Sequence, residues 1–553
     1  MLHPFKQNLV SLATVFARCL VCSAILYPAS AEANPPQTIK ESDRPAGLNP
    51  EKIPGAIVLK RFDVIGNRVI PESEIDRLLK PYLFRPVSFV ELLEVQQAIT
   101  QLYVERGYFT SGAYIPPQKI KDRTVRIEII EGSIEDIKIY GLKHLRPEYI
   151  RGRIEAATQP PVNRAKLLNA LQVLQLNPLI GNISAELSQG IDPGESLLEI
   201  EVEEANRFKA ALGFSNYQAV TVGSQSRRIS LEDTNVFGFG DHFAVSYINT
   251  PSSNSLENLS YTIPLGSNDS ELEIAYSYSD SLIISEPFKD LRFSSQGSSI
   301  AASYRQKILH TPRKEMTLGF AFNYQNTQLF LMDVGFPTLA RGTDLKGVTK
   351  IAALQFIQEY SDRSEECVLA FSSQFNIGIN VFDATVNPDG IPDTHFLIWR
   401  GQVQYIQQLT EETNLLLRGQ LQLSDRPLVS LEQFRVGGAS SVRGYRKDRT
   451  LADNGLFLSA ELYQTIWKTT DGNSSLTLSP FSDFSQVWNG DDVSPEVETL
   501  VSLGLGLQLL LGDTLAARVD WGIPLIQDTG FQENSLQDQG IYFSLEFKPF
   551  RSF

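Results

Sequence analysis

Five histidines and three cysteines are the side chains best suited to metal or nucleophilic chemistry, and their spacing performs neither. His3, His144, His242, His310 and His395 form no metal pair at helical spacing, and no H-E-x-x-H, G-x-S-x-G or phosphate-cradling loop occurs. Asp389 and Asp393 stand in a Gly/Pro-rich stretch that lacks calcium-ligand spacing and reads as a plain outside loop. No catalytic residue, metal or cofactor is expected, and an enzyme is set aside. A different constellation remains. Val436-Gly437-Gly438 and Ser441-Val442-Arg443-Gly444-Tyr445 fall in residues 425–455, a stretch between two strand patterns with no period of its own. Structureless connections beyond about 15 residues are usually functional or disordered. Gly437, Gly438 and Gly444 permit tight backbone folding. Arg443 offers a fixed charge with a planar fork of donors, and a charge folded into an interior needs a partner.

The elements that would hold this stretch begin after an export signal. Lys6 and Arg18 flank a short apolar core, residues 19–27, and Ala29-Ser30-Ala31 is a small-x-small cleavage site. Residues 1–31 read as a signal peptide and 32–56 as a Pro-rich linker. Cleavage removes Cys19 and Cys22, so only Cys367 remains and no internal disulfide can form. The net charge of -15 argues against a nucleic-acid partner. No later apolar run approaches the ~18 residues of a helical membrane span.

Residues 57–133 read strand, helix, helix, strand, strand. The first strand is 57–65, ended by Gly66-Asn67; Pro71 opens a helix; Ser88 caps a second whose apolar face is Leu92, Val95, Ile99, Leu102 and Tyr103, and Gly107 stops it. Gly112, Ala113, Tyr114 and Ile115 form one strand, and residues 125–130 the next. Residues 134–205 repeat the plan with strands 134–140, 179–187 and 196–202 and helices 147–157 and 164–176. Two copies of one α+β unit, about 75 residues each, are an internal repeat.

From residue 206 to 553 helical periods vanish. Leu272, Ile274, Tyr276 and Tyr278 alternate with Glu271, Glu273, Ala275 and Ser277. Met316, Leu318, Phe320, Phe322 and Tyr324 alternate with Thr317, Gly319, Ala321, Asn323 and Gln325, and between 501 and 511 every odd residue is Val or Leu. Strands of about ten residues suit a tilted membrane strand better than a soluble sandwich. The second face carries Arg, Glu, Gln and Gly, as a wet lumen allows, and Trp399, Trp467, Trp488 and Trp521 stand near strand ends as an interfacial girdle would. The fold class is an all-β transmembrane barrel of about 16 antiparallel strands preceded by two small α+β domains. Its last strand follows Gly540 and alternates through Phe543, Leu545 and Phe547, which should face lipid, with Tyr542, Ser544 and Glu546 inward. That pattern suits the terminal strand through which such barrels are assembled.

At this point the residues resemble a family, the two-partner secretion transporters of the haemolysin-activator type (TpsB), over nearly the whole mature chain. The repeats resemble POTRA domains: Tyr103-x-x-x-Gly107-Tyr108, then Ile115-Pro116-Pro117-Gln118, then Glu131-Gly132. Val442-Arg443-Gly444-Tyr445 resembles the tip of the sixth outside loop in the wider superfamily. The family places that arginine's partner on an inner-wall strand, in a motif of Phe or Gly, x, Asp, x, Gly. Phe481-Ser482-Asp483-Phe484-Ser485 matches with Ser485 in place of the final Gly. The resemblance thus pairs Arg443 with Asp483, at about 1–2 kcal/mol in a lumen that holds water.

The resemblance implies an outer-membrane pore, its POTRA domains in the periplasm, that secretes an unfolded client protein with no ATP site. Its partners would be a secreted β-helical client, outer-membrane lipid and the barrel-assembly machinery. The POTRA 1 edge at residues 112–115 would add the client as a strand. Residues 34–56 hold several prolines and no amphipathic stripe, so the occluding role falls to the loop rather than to a plug helix. The alternative is a barrel-protein insertase of the same superfamily, which usually carries more POTRA copies; a passive porin would carry none.

Overall fold

Two α+β sheets and a closed β-ring account for the chain in a computed structural model that describes residues 56–550, apart from 193, 268, 287, 337–340, 389, 491–494, 496 and 528–534. The signal peptide and the linker up to residue 55 lie outside the described residues, as does Asp389.

The first domain holds strand β1 (Arg61–Ile65), helices α1 (Glu72–Leu79) and α2 (Phe89–Glu105), and strands β2 (Gly112–Tyr114) and β3 (Thr124–Ile130). The sheet order is β1-β3-β2, with β1 parallel to β3. α2 opens with a reciprocal capping box: the Glu91 carboxylate accepts from the Ser88 backbone N–H at 2.8 Å, and Ser88 Oγ accepts from the Glu91 N–H at 3.3 Å. Leu92, Val95 and Ile99 on its buried face, with Phe62, Ile75, Leu79, Val125 and Ile127, make the core. Each such side chain contributes about 1.5–3 kcal/mol by leaving water. Ile99 is fully buried, and its truncation to Ala would cost about 2–5 kcal/mol. Three expected boundaries shift. The 57–65 strand is broken: Ile57–Val58 pairs with Pro86–Val87, and β1 starts only after Leu59 has turned inward. Pro71, with ψ 130, precedes α1 as its cap instead of opening it. Strand β2 ends at Tyr114, one residue before Ile115.

The second domain repeats the order with β4 (Ser133–Tyr140), α3 (Pro147–Glu155), α4 (Arg164–Gln175), β5 (Ile180–Gln189) and β6 (Glu195–Glu204). β6 is again central, parallel to β4 and antiparallel to β5. Asn163 caps α4 by accepting from the Ala165 and Lys166 N–H groups. Ile137, Ile150, Ile154, Leu167, Leu174, Leu198 and Ile200 form the core.

Among the described residues, sixteen long antiparallel strands close the barrel. They are β7 (Phe208–Ser215), β8 (Ser226–Asp233), β9 (His242–Asn249), β10 (Ser253–Leu265), β11 (Ser270–Leu282), β12 (Phe293–His310), β13 (Lys314–Leu331), β14 (Val348–Arg363), β15 (Cys367–Ile379), β16 (Leu397–Thr410), β17 (Thr413–Ser424), β18 (Asn454–Lys468), β19 (Ser474–Trp488), β20 (Thr499–Leu511), β21 (Leu515–Pro524) and β22 (Ile541–Phe547). A two-residue strand, Val334–Gly335, folds back on the end of β13. The ring closes where Ser544, Leu545, Glu546 and Phe547 of β22 face Ser215, Phe214, Gly213 and Leu212 of β7. Closure satisfies every strand edge, the condition for crossing hydrocarbon without water.

The period-two pattern sorts the faces as the sequence suggests. Leu503, Leu505 and Leu507 of β20 are exposed outward while Ser502 is fully buried inward. Trp467 lies near the last residue of β18, Trp399 near the first of β16 and Trp488 at the last of β19, so all three stand at strand ends.

Candidate functional site

The long connection between β17 and β18 is folded, not structureless. Phe434–Val436 and Thr450–Ala452 pair as a small hairpin, so the chain enters and leaves the lumen as a ribbon. Local sequence gives little warning, because each strand is only three residues. At the ribbon's turn, Gly437, Gly438 and Gly444 have φ of 108°, 90° and 101°, conformations strained for any residue with a Cβ. Val436, Val442 and Tyr445 pack with Phe457, Val487 and Leu500 of the barrel wall.

Arg443 is 2% exposed and its guanidinium is fully engaged. Nε and Nη2 donate to the two Asp483 carboxylate oxygens at 2.8 and 2.9 Å, a bidentate fork. The Arg443 backbone N–H adds a third bond to Asp483 at 3.1 Å. Nη1 donates to Glu461 at 3.0 Å and stands 3.6 Å from Asp520. The ring of Phe481 lies 3.3 Å from the guanidinium carbon, a cation–π contact. Ser459 Oγ donates to Asp483 at 2.7 Å, and Arg518 bridges Glu461 and Asp520. The structure therefore brings together Arg443, Phe481 and Asp483, and adds Glu461, Arg518 and Asp520 to them. The expectation of a wet, weak pair is corrected: Arg443 and Asp483 are both shut away from solvent, so the ~1–2 kcal/mol of a hydrated pair does not apply.

Neighbouring contacts fix the rest of the tip. The Gly444 N–H donates to the Tyr542 hydroxyl at 3.0 Å, and that hydroxyl donates to the Tyr445 carbonyl. The Tyr445 hydroxyl lies 3.0 Å from both the Val501 and Ile526 carbonyls, to one of which its single proton is donated, and accepts from the Ile526 N–H at 3.2 Å. Arg446 pairs with Asp538. The wall beneath is kept flat by glycine. A Cβ on Gly504 would stand 2.1 Å from the Phe481 ring, and one on Gly522 would stand 2.6 Å from the Arg443 backbone. Ser485, where the resembling motif has Gly, fits because its Oγ donates to the Leu456 carbonyl at 2.9 Å.

The other candidate residues lie elsewhere. Gly112, Ala113 and Tyr114 form an edge of the first domain's sheet, Tyr114 is 41% exposed, and Ile115 lies just beyond the strand. Leu545 and Phe547 are exposed on the outer face of β22, and the Phe543 ring packs against that of Phe214, centroids 5.4 Å apart and planes tilted by 45°. Tyr542 is wholly buried inward, and Gly540 occupies the turn before the strand with φ 71°. Glu461, Arg518 and Asp520 were not singled out from sequence. Each is an inward-facing charge on a strand adjoining β19 or β20, and that placement is the signal that could have found them.

A sixteen-stranded barrel behind two such domains, with an arginine loop tip locked to an inner-wall aspartate, matches one family model. The model for haemolysin secretion/activation proteins ShlB/FhaC/HecB covers residues 194–509, and the ShlB-type POTRA model covers 57–132. The chain belongs to the ShlB/FhaC/HecB family. It is 22% identical over 496 residues to the heme/hemopexin transporter protein HuxB of Haemophilus influenzae, covering 84% of this chain and 83% of that protein. It is 24% identical over 408 residues to the outer membrane transporter CdiB of Dickeya dadantii, covering 70% and 68%. In fold it matches the CdiB structure from Escherichia coli at TM-score 0.69, 18% identity and 98% coverage of both chains. The ShlB/FhaC/HecB family protein described here is an outer-membrane secretion pore for an exported client, with its POTRA domains in the periplasm. The relatives are transporters, and the insertase reading is disfavoured.

Proposed function

We propose that the first POTRA domain receives an unfolded, β-helical client by strand addition at Gly112, Ala113 and Tyr114, and that the loop carrying Val442, Arg443, Gly444 and Tyr445 gates the lumen. In the same reading the segment from Gly540 through Phe543, Leu545 and Phe547 is the signal taken up by the barrel-assembly machinery, and its outer face meets lipid. The observation that carries the client reading is the position of β2. It is an outer strand of its sheet, with one side that an extended segment could join, although the Ala113 N–H already donates to Thr100 Oγ1 at 3.0 Å and would have to be released or bypassed. Pro116 and Pro117 follow it and end the ladder, because proline has no N–H to give. Deleting residues 57–133 should abolish client secretion while leaving the barrel in the membrane. Normal secretion by that deletion would refute the reading.

A further inference from the structure

The second domain is fastened to the barrel by contacts that are built, not incidental. Arg153 lies 3.6 Å from the Tyr149 ring centroid, and its Nε stands 3.2 Å from the Asp269 carboxylate, with the two side chains 11% and 23% exposed. Asp269 lies in the turn between β10 and β11 and is also met by His310 Nδ1 at 2.6 Å, at the end of β12. Arg146 stacks 3.8 Å over Phe239, and its backbone N–H donates to the Gly238 carbonyl at 2.9 Å. Phe239 and Gly238 belong to the turn between β8 and β9. That turn is shaped to receive the domain: Gly240 has φ 78°, and a Cβ there would stand 2.3 Å from the Tyr149 ring.

On the domain side the contacting groups are themselves held. Asn177 donates to the Tyr149 hydroxyl at 2.8 Å. Glu204 accepts from the backbone N–H groups of Lys143, His144 and Leu145. The connection from β6 to β7 is residues 205–207 alone. The Ala205 N–H donates to the Leu179 carbonyl at 2.9 Å and the Arg207 carbonyl accepts from Thr234 at 3.0 Å. Every barrel group named lies under strands β8–β12. Immobilising two long arginine side chains carries an entropic cost that a freely swinging domain would not incur.

We infer that this clamp holds the second domain in one pose beneath β8–β12 throughout secretion, with Arg153 as the positioning residue. The inference rests on the reading that the periplasmic domains receive the client. The clamp keeps the second domain in register with the lumen mouth, so a client segment that reaches it is handed on without that domain swinging.

A covalent staple separates position from mere packing. A Cβ on Gly152 would stand 3.1 Å from the Ser267 Cβ, close to the roughly 3.5–4.5 Å of a disulfide. The full-length protein carrying Cys367→Ser, Gly152→Cys and Ser267→Cys should form that bond in the outer membrane and secrete normally when oxidised. Arg153→Ala should lower secreted client per heat-modifiable barrel roughly tenfold, the scale of one partly buried ion pair together with a cation–π contact. The oxidised staple in the Arg153→Ala background should restore secretion, and a reductant should remove the rescue. Two results would overturn the inference. An oxidised staple that blocks secretion in the Arg153 background, reversed by reductant, means the domain must leave its seat. A staple that leaves Arg153→Ala as defective as before means Arg153 does not act through position. A photo-crosslinker at Tyr114 reads client capture in the same strains. Capture without rescue fails the clamp alone; absence of capture in every strain fails the client-recognition reading instead.

Discussion

Removing Arg443 and removing Asp483 should not be equivalent, because the structure gives them unequal alternatives. Arg443→Ala leaves Asp483, Glu461 and Asp520 converging on a site that keeps only Arg518 among its bonded guanidinium groups. Breaking a buried ion pair from one side costs about 3–5 kcal/mol, since the surviving charge has no water. Asp483→Ala leaves Arg443 with Glu461 at 3.0 Å and Asp520 at 3.6 Å, and a cation–π contact to Phe481. Its cost should fall nearer 2 kcal/mol, roughly one charged hydrogen bond. The double substitution should be little worse than Arg443→Ala alone, a coupling within the 0.5–3 kcal/mol range of contacting residues. The assay has two arms at matched barrel levels: client secretion, and labelling of a Val442→Cys reporter by an impermeant maleimide in a Cys367→Ser background. Val442 is fully buried when the tip is docked, so labelling reports release. Secretion should fall and labelling rise in the order Asp483→Ala, Arg443→Ala, double. Fully additive losses, or Asp483→Ala the more severe single change, would refute the docked-tip argument.

Three further outcomes follow from particular contacts. Gly504→Val should prevent tip docking without touching any charge, because a Cβ would meet the Phe481 ring at 2.1 Å; maleimide labelling at residue 442 equal to wild type would contradict this. Phe547→Asp should cost at most about 1 kcal/mol as a charge, since the residue faces outward at the end of β22, where a lipid-facing charge is penalised far less than at the midplane, so a clear loss of heat-modifiable barrel would mark a role in assembly and an undiminished level would count against that role. Burial would raise the Glu204 pKa, but backbone N–H bonds from Leu145, His144 and Lys143 win and hold it below its ordinary 4.5. A depressed carboxylate stabilises the fold above that ordinary value and loses its contribution as pH falls below it. Second-domain stability should therefore drop more steeply below pH 4.5 in the native protein than in Glu204→Gln, checked by thermal melts across pH; parallel curves would show that the carboxylate contributes nothing.

Periodicity made most of the barrel legible, because a strand that separates lipid from lumen must alternate along its whole length. β20 and β13 could be read residue by residue. The ends of the small-domain strands were less legible: Leu59 is pulled into the core by a pairing of Ile57–Val58 with Pro86–Val87 that no local pattern announces. The loop was visible as an interruption and its arginine as a charge in need of a partner. What the sequence concealed was the number of partners, since Glu461, Asp483 and Asp520 come from three strands spread over 60 residues. Inner-face glycines such as Gly504 were taken as compatible with a wet lumen. Their role here is steric, for they let the Phe481 ring and the loop backbone lie against the wall.

If the docked loop is the proposed gate, its release in a compartment without ATP poses an energetic question that bears on the geometry. The guanidinium, the Tyr445 hydroxyl and the Tyr542 hydroxyl all tie the tip to β18–β22. The second-domain contacts all fall under β8–β12. A docked tip and a seated domain therefore load two different arcs of the ring, separated on one side by β7 alone. A net docking free energy of about 3 kcal/mol would leave the tip released in roughly one molecule in a hundred or more. A client that binds the released state more tightly can hold that minority open, and only by the difference in its affinity for the two states. On the proposal that the loop gates the lumen, the interaction energy that docks the tip thus sets how much binding and folding energy the client must supply to keep it released.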